Sequence, residues 1–201
     1  QIVVNYTDAA DFGFNDPTLG AARKTALEYA LSLWAAKLKG TEPIIVNAGC
    51  QNLGGTPTGA VLASAGPVNG ASYPNASIVP HANTVYPVVL FNQYAHQDID
   101  AANDIQVTVN VDVDNATVLG PKNFYYGTDG NADFHVDFVS VMLHELAHGF
   151  GFLTFMAPTG AMAGGMPDAY LRNLIQVPGG PLMNMTNAGR QAAATSNALY
   201  W

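Results

Sequence analysis

The sequence predicts a mixed α/β (α+β) fold, on three observations. A strand, a helix and a strand follow one another over residues 1–48, a strictly alternating strand lies near residue 105, and a strongly patterned helix ends near Phe150. The chain has 201 residues, of which 49% are hydrophobic and 11% charged, enough for one sizeable core and a smaller lobe. Disorder is excluded as a description of the whole.

Gln1 to Asp8 is a β-rich run closed by polar residues, and Asp16-Pro17-Thr18 supplies a helix start signal. From Thr18 to Leu38, the residues Ala22, Ala26, Leu27, Ala30, Leu31, Trp34 and Leu38 recur at helical spacing, and Gly40 ends the pattern. The short apolar run Pro43 to Asn47 follows, so the segment reads as a β-α-β unit with a parallel strand pair. Between Gly49 and Pro80 the density of Gly, Pro, Ser, Thr and Asn predicts loops, with one short strand near Thr58 to Ala63. Val85 to Phe91 reads as a strand, which Pro87 confines to a sheet edge or an irregular start. Asp104 to Asp112 alternates, with Ile105, Val107, Val109 and Val111 toward a core and Gln106, Thr108 and Asn110 toward water.

Gly120 to Asn131 is turn-rich and leads to Asp133 and Asp137, either of which suits the cap of the next helix. In that helix Val136, Val139, Met142, Leu143, Leu146 and Phe150 recur at three- and four-residue steps, and Gly149 and Gly151 stop it. Beyond Thr154 come a Gly-, Pro- and Met-rich stretch to Pro167, a short helix over Asp168 to Ile175, turns at Pro178 to Pro181, and a terminal helix from Asn187. The division expected is residues 1–152 and a smaller C-terminal part, residues 153–201.

Seven Lys and Arg against fifteen Asp and Glu give a formal charge of -8, which repels a polyphosphate, so nucleic acid is not an expected partner. No apolar run reaches the length of a spanning helix and no basic amphipathic stretch suits a membrane surface, so no membrane is expected either. Cys50, the single cysteine, reads as a small buried hydrophobe. A start at Gln1, without an initiating Met or a leader's apolar stretch, reads as a processed or trimmed protein.

The chemistry is concentrated in His144-Glu145-Leu146-Ala147-His148. Four residues of α-helix turn through about 400°, so His144 and His148 project side by side, where two imidazole nitrogens can meet one Zn²⁺ at about 2.0–2.1 Å. Glu145 lies about 100° around the helix, within reach of a metal-activated water, and is the natural general base. Leu146 points to the core. The bland alternative is two solvated or core-satisfied histidines beside a surface glutamate.

His144 to Phe152 resembles the active-site helix of metzincin zinc endopeptidases, in which a Gly three residues past the second His, here Gly151, lets the chain turn. Metzincins usually place a third His three residues further on, where this chain has Thr154, and no His follows His148. The pattern is therefore more similar to leishmanolysin-type enzymes and bacterial secreted relatives, whose HExxHxxGF precedes a long excursion to the third His. Gly13 to Asp16, Leu19 to Leu38, Asp104 to Asn110, Phe124-Tyr125 with Gly127, Asp137-Phe138 and Pro167-Asp168 are similar to those relatives as well. In them a protease-associated domain can follow a segment like Leu199-Tyr200-Trp201.

The resemblance implies a metzincin-like zincin: a twisted mixed sheet, a backing helix, an active-site helix and an irregular C-terminal lobe. It implies a secreted, monomeric, zinc-dependent endopeptidase acting on protein or peptide substrates, with His144 and His148 as ligands and Glu145 as base. Three readings of the third ligand stay open: a residue outside the chain, Asp168, or an open position. Met156, Met162, Met166, Met183 and Met185 all suit the hydrophobic base under such a zinc, and all suit ordinary core. His81, His96 and His135 read as structural or surface residues. In metzincins an antiparallel edge strand pairs with the substrate backbone, and Ile105 to Val111 reads either as that strand or as a plain half-buried one. Asp98, Asp100, Asp112, Asp114 and Asn115 offer oxygens to a Ca²⁺ ion, but the spacing is not that of an EF-hand and a solvated acidic surface is the favoured reading. The rivals are a non-catalytic zinc-binding or adhesion module and a carbohydrate-binding domain.

Overall fold

In chain order, the computed structural model, which describes residues 1–99 and 102–201, contains β1 (Ile2–Tyr6), α1 (Gly20–Ala35), β2 (Ile44–Gln51), β3 (Ala63–Pro67), β4 (Gly70–Ser72), β5 (Val85–Pro87), α2 (Val88–Ala95) and β6 (Ile105–Asn110). These are followed by β7 (Phe124–Tyr125), β8 (Val136–Asp137), α3 (Phe138–Gly149), β9 (Ile175–Gln176), β10 (Gly180–Pro181), α4 (Asn187–Ala194) and β11 (Leu199–Tyr200). The architecture is mixed, helices and several small sheets, as an α+β reading requires. Two compact units divide it, Gln1–Val68 with Asp100–Phe150, and Asn69–Ile99 with Gly151–Trp201.

The first unit is built on a four-stranded sheet of order β1-β2-β6-β3. β1 and β2 run parallel, as the β-α-β reading expects, β2 and β6 are also parallel, and β3 pairs with β6 antiparallel. Val46, Ala48, Ile105, Val107 and Val109 are sealed from solvent, as are Ala26, Leu27 and Ala30 of α1 and Met142 and Leu146 of α3. Both helices thus lay their apolar stripes into one core. That burial offsets the ordering of the chain at about 25 cal/mol per Å² of apolar surface.

Several expectations are corrected here. β6 is an interior strand rather than an edge, because β3 covers its second side, and it stops at Asn110 instead of running to Val111. Asn110 is fully buried, not wet: its Nδ2 donates to the carbonyls of Gly54 and Val61, and its Oδ1 accepts from Leu53 and Asp112. One side chain therefore fastens the loop between β2 and β3. The short strand expected at Thr58 to Ala63 instead begins at Ala63. Its sequence, Ala-Ser-Ala-Gly-Pro, has no β-former, and pairing with β6 imposes the conformation. Val136 belongs to β8 rather than to the first turn of α3.

Polar groups close the rest of the unit. Asp8 accepts from the amides of Phe14 and Cys50, at 2.7 Å each. Cys50 is a buried hydrophobe as expected; burial first, then the Asp8 charge, pushes its thiol pKa far above the ordinary value, which leaves it unreactive.

The second unit holds two apolar clusters. Val79, Tyr86 and Phe91 form one, and Leu171, Leu174, Leu182 and Ala193 the other. Val88 to Phe91 are helical, not part of a strand: Pro87 ends β5 and precedes α2, which buries Val88, Val89, Phe91 and Asn92 at helical spacing. A short apolar run does not distinguish the two states by periodicity. Val85 donates to Pro167 and accepts from Ala169, which stitches β5 to the C-terminal segment and explains why Asn69–Ile99 folds with it. The helix expected over Asp168 to Ile175 is a single 3₁₀ turn at Leu171–Asn173, followed by β9 of the three-stranded sheet β10-β9-β11. The terminal helix forms as expected at Asn187, and Thr186 caps it through the Gly189 amide. Arg190 is buried and donates to the carbonyls of Gly160, Leu182 and Met185 and to Asn187 Oδ1. Among the described residues no helix is long and apolar enough to cross a membrane.

Candidate metal centre on helix α3

Helix α3 is fixed at both ends and along its inner face. Of the two candidate caps, Asp137 is the one used: Oδ1 accepts from the Val139 amide at 3.1 Å and Oδ2 from the Ser140 hydroxyl at 2.7 Å. Trp34 of α1 donates its indole N–H to the Leu143 carbonyl and stacks near Phe150. Gly149 lies flush on β6, where a Cβ would stand 2.7 Å from Ile105 Cγ2. Gly151 then takes φ +109°, a conformation open to glycine, and the chain leaves the helix.

With Met142 and Leu146 buried, the opposite face carries His144 exposed and Glu145 and His148 half-buried. The Nε2 atoms of His144 and His148 stand 3.2 Å apart, with the rings nearly perpendicular at 87°. Two nitrogens held at about 2.0–2.1 Å by one tetrahedral ion would be about 3.3–3.4 Å apart. The two imidazoles therefore already have the spacing of a zinc-binding pair. Their donor chemistry, two imidazole nitrogens, suits that metal.

Glu145 turns toward the sheet, and its Oε2 accepts from the Ala65 amide of β3 at 3.2 Å. Asn110 donates to the Leu62 carbonyl from β6 and Val68 to that of Asp104, which sets the ladder parity: residues 62, 64, 66 and 68 face β6, and 63, 65 and 67 face outward. The outward amide of Ala65 thus fixes one carboxylate oxygen and leaves Oε1 without a partner among the described residues. Sequence reasoning missed this contact. The signal was the run of small residues at 63–67, which lets strand and helix approach closely.

Among the described residues no group of three or more His, Cys, Asp or Glu is placed to share a metal ion. The residues present fit zinc as a two-nitrogen grip, with the remaining positions not filled by such side chains. Asp168 is buried, its Oδ2 bonded to the Thr154 hydroxyl at 2.6 Å and the Phe155 amide, its Oδ1 to the Leu171 amide. Both oxygens are spent on local structure, and Thr154 is spent with them. His135 precedes α3, with its Nδ1 buried and unpartnered among the described residues. Met156, Met162 and Met185 pack on the Leu171 cluster as core.

The acids considered for Ca²⁺ are engaged too. Asp112 accepts from the Gly54 amide and Asn115, Asp114 is paired with Arg23, and Asp98 accepts from Asn92; Asp100 lies outside the described residues.

A shallow cleft lies beside the N-terminus of α3, lined by Tyr29, Asp129, Asp137 and Val139. Asp129 accepts from the Tyr125 hydroxyl at 2.7 Å and from the Asn131 amide, which lowers its pKa to about 2. Such a depressed acid contributes stability at pH above its ordinary value, about 3.9, and loses it as pH falls through about 2. Tyr125→Phe removes the largest cause, so NMR titration should find Asp129 moved upward toward about 3.9. An unchanged titration would assign the depression to the backbone instead.

Comparison with known protein families, with curated proteins and with solved structures finds no match for this chain.

Proposed function

We propose that the chain is a zinc-dependent endopeptidase of metzincin-like type, secreted and acting on protein or peptide substrates. One observation carries the reading: two histidine Nε2 atoms 3.2 Å apart on one helical face, with a carboxylate from the intervening turn anchored beside them. Zinc held there would supply Lewis acidity toward a carbonyl and a water whose pKa would fall toward about 7. His144 and His148 would hold and orient the ion. Glu145, fixed through Oε2, presents Oε1 as the base that would take the water's proton and pass it to the leaving amine. No residue forms a covalent intermediate in this scheme. In this reading β3, at the sheet's edge, antiparallel to β6 and bonded through Ala65 to Glu145, takes the substrate-pairing role for which Ile105 to Val111 was the candidate.

That no third His, Cys, Asp or Glu joins the pair among the described residues favours a second reading, a zinc-binding module without turnover. Cleavage of casein or gelatin separates the two. The expected result is proteolysis abolished by a chelator and restored by zinc. Cleavage indifferent to chelation sinks the metal chemistry, and one bound zinc per chain with no cleavage of either protein selects the module.

A further inference from the structure

β1 ends the sheet β1-β2-β6-β3 and has β2 on one side only. Ile44 donates to the Gln1 carbonyl and Thr7 to that of Ala48, so Gln1, Val3, Asn5 and Thr7 turn their backbone groups toward β2. The N–H and C=O groups of Ile2, Val4 and Tyr6 point the other way and have no partner among the described residues. A groove of about 230 Å³ lies along this flank, lined by Ile2, Val4, Glu28, Leu31, Ser32 and Ala35, so the space beside the strand is open. Sheet edges are ordinarily guarded by charge, proline or a bulge. β3, at the other end of the sheet, contains Pro67 and gives its Ala65 amide to Glu145. β1 has no such guard: Ile-Val-Val-Asn-Tyr is uncharged, free of Pro and Gly, and rich in β-formers. Glu28 in the groove wall accepts from the Tyr6 hydroxyl at 2.9 Å.

We propose that β1 is a homodimer interface: two copies of the chain pair their β1 strands antiparallel about a two-fold axis at Val4, joining two four-stranded sheets into one. Val4 then lies opposite Val4 of the second copy, and Ile2 of each copy lies opposite Tyr6 of the other. Every outward N–H meets an outward C=O in this register, because the same alternate residues face out on both strands. β-Branched residues opposite aromatic or β-branched ones are favoured cross-strand neighbours. The strand is thus complementary to itself, which is what a two-fold contact requires, and the contact closes at two copies. Charge does not oppose it. The two Tyr6 residues stand about 13 Å apart along the strands, so the Glu28 carboxylates bonded to them sit toward opposite ends of the pairing, where salt of about 0.15 M screens their repulsion. This assembly departs from the monomer that the resemblance implies. It uses the edge opposite β3, with β2 and β6 between, and does not rest on the hydrolase reading.

Sedimentation equilibrium of the full chain reads the assembly. The expected result is a mass that rises from one chain toward two between about 1 and 100 µM, as a small interface implies. Val4→Pro removes the central outward N–H and leaves every bond to β2 in place, since position 4 gives none to it. It should weaken the dimer by about tenfold or more. Cysteine variants read the register independently. Antiparallel residues that exchange hydrogen bonds have Cα atoms about 5.5 Å apart, within disulfide reach, so Val4→Cys in a glutathione redox buffer should form a covalent dimer. Val3→Cys occupies a more exposed position that faces Asn5 of the second copy rather than itself, and it should stay monomeric on a denaturing gel; native Cys50 is buried and does not compete. A mass that remains that of one chain through about 100 µM, a dimer that a folded Val4→Pro leaves unchanged, or Val3→Cys cross-linking as fast as Val4→Cys overturns the proposal. Should Val4→Pro lose the circular dichroism of the parent, the cysteine variants decide.

Discussion

Glu145→Gln should lower proteolysis by about two to four orders of magnitude while one zinc stays bound. The amide keeps the volume of the carboxylate and one acceptor for the Ala65 N–H, but it cannot take a proton from water at neutral pH. The proposed ligand atoms belong to His144 and His148, whose spacing is set by the helix and not by Glu145. Helix packing is unaltered as well, because Met142 and Leu146 carry the buried face. Stability should therefore remain within about 0.5 kcal/mol of the parent. Zinc content, thermal unfolding and casein cleavage on one preparation separate the effects. Cleavage within tenfold of the parent, with zinc bound and the fold intact, removes Glu145 from the role of base.

How far such a site can be read from a sequence depends on where its geometry is set. The relation of His144, Glu145 and His148 is fixed by helical period alone, and the apolar residues Val139, Met142 and Leu146 mark which side of that helix faces inward. Those positions were legible. The partner of Glu145 was not, because β3 is held by pairing with β6 and nothing in Ala63 to Pro67 favours a strand. Helix α2 was hidden for the opposite reason: Val88 to Phe91 satisfies both strand and buried-helix patterns, and contacts with Val79 and Tyr86 decide between them. Asp168 shows the limit for ligands. Its residue type suits a metal, yet whether a carboxylate faces an ion or caps a turn depends on amides, here Phe155 and Leu171, that no residue type announces.

Arg23→Met should destabilise the protein by about 3–5 kcal/mol, the largest stability loss expected of a single polar substitution in the first unit. Arg23 is 4% exposed and spends its guanidinium on the Gly13 carbonyl at 2.7 Å, Asp114 Oδ2 at 2.8 Å and the Tyr126 hydroxyl at 3.2 Å. Tyr126 in turn donates to the same Asp114 oxygen at 2.7 Å. Methionine fills the apolar volume of the stem, so cavity formation is small. The cost arises from Asp114, left charged with a side chain 11% exposed, and from the orphaned Gly13 carbonyl. Burial opposes the charge on Arg23, but the hydrogen bonds with Asp114 and Tyr126 more than offset it and raise the guanidinium pKa. A base raised in the folded state keeps its contribution at every pH below its unfolded value, so titration of Arg23 itself removes nothing between about pH 6 and pH 8. Asp114→Leu in the Arg23→Met background tests the assignment. Removing the stranded carboxylate should recover part of the loss, read as a higher urea midpoint than Arg23→Met alone. Strictly additive losses would locate the cost elsewhere, in the carbonyl of Gly13 or the packing of the stem.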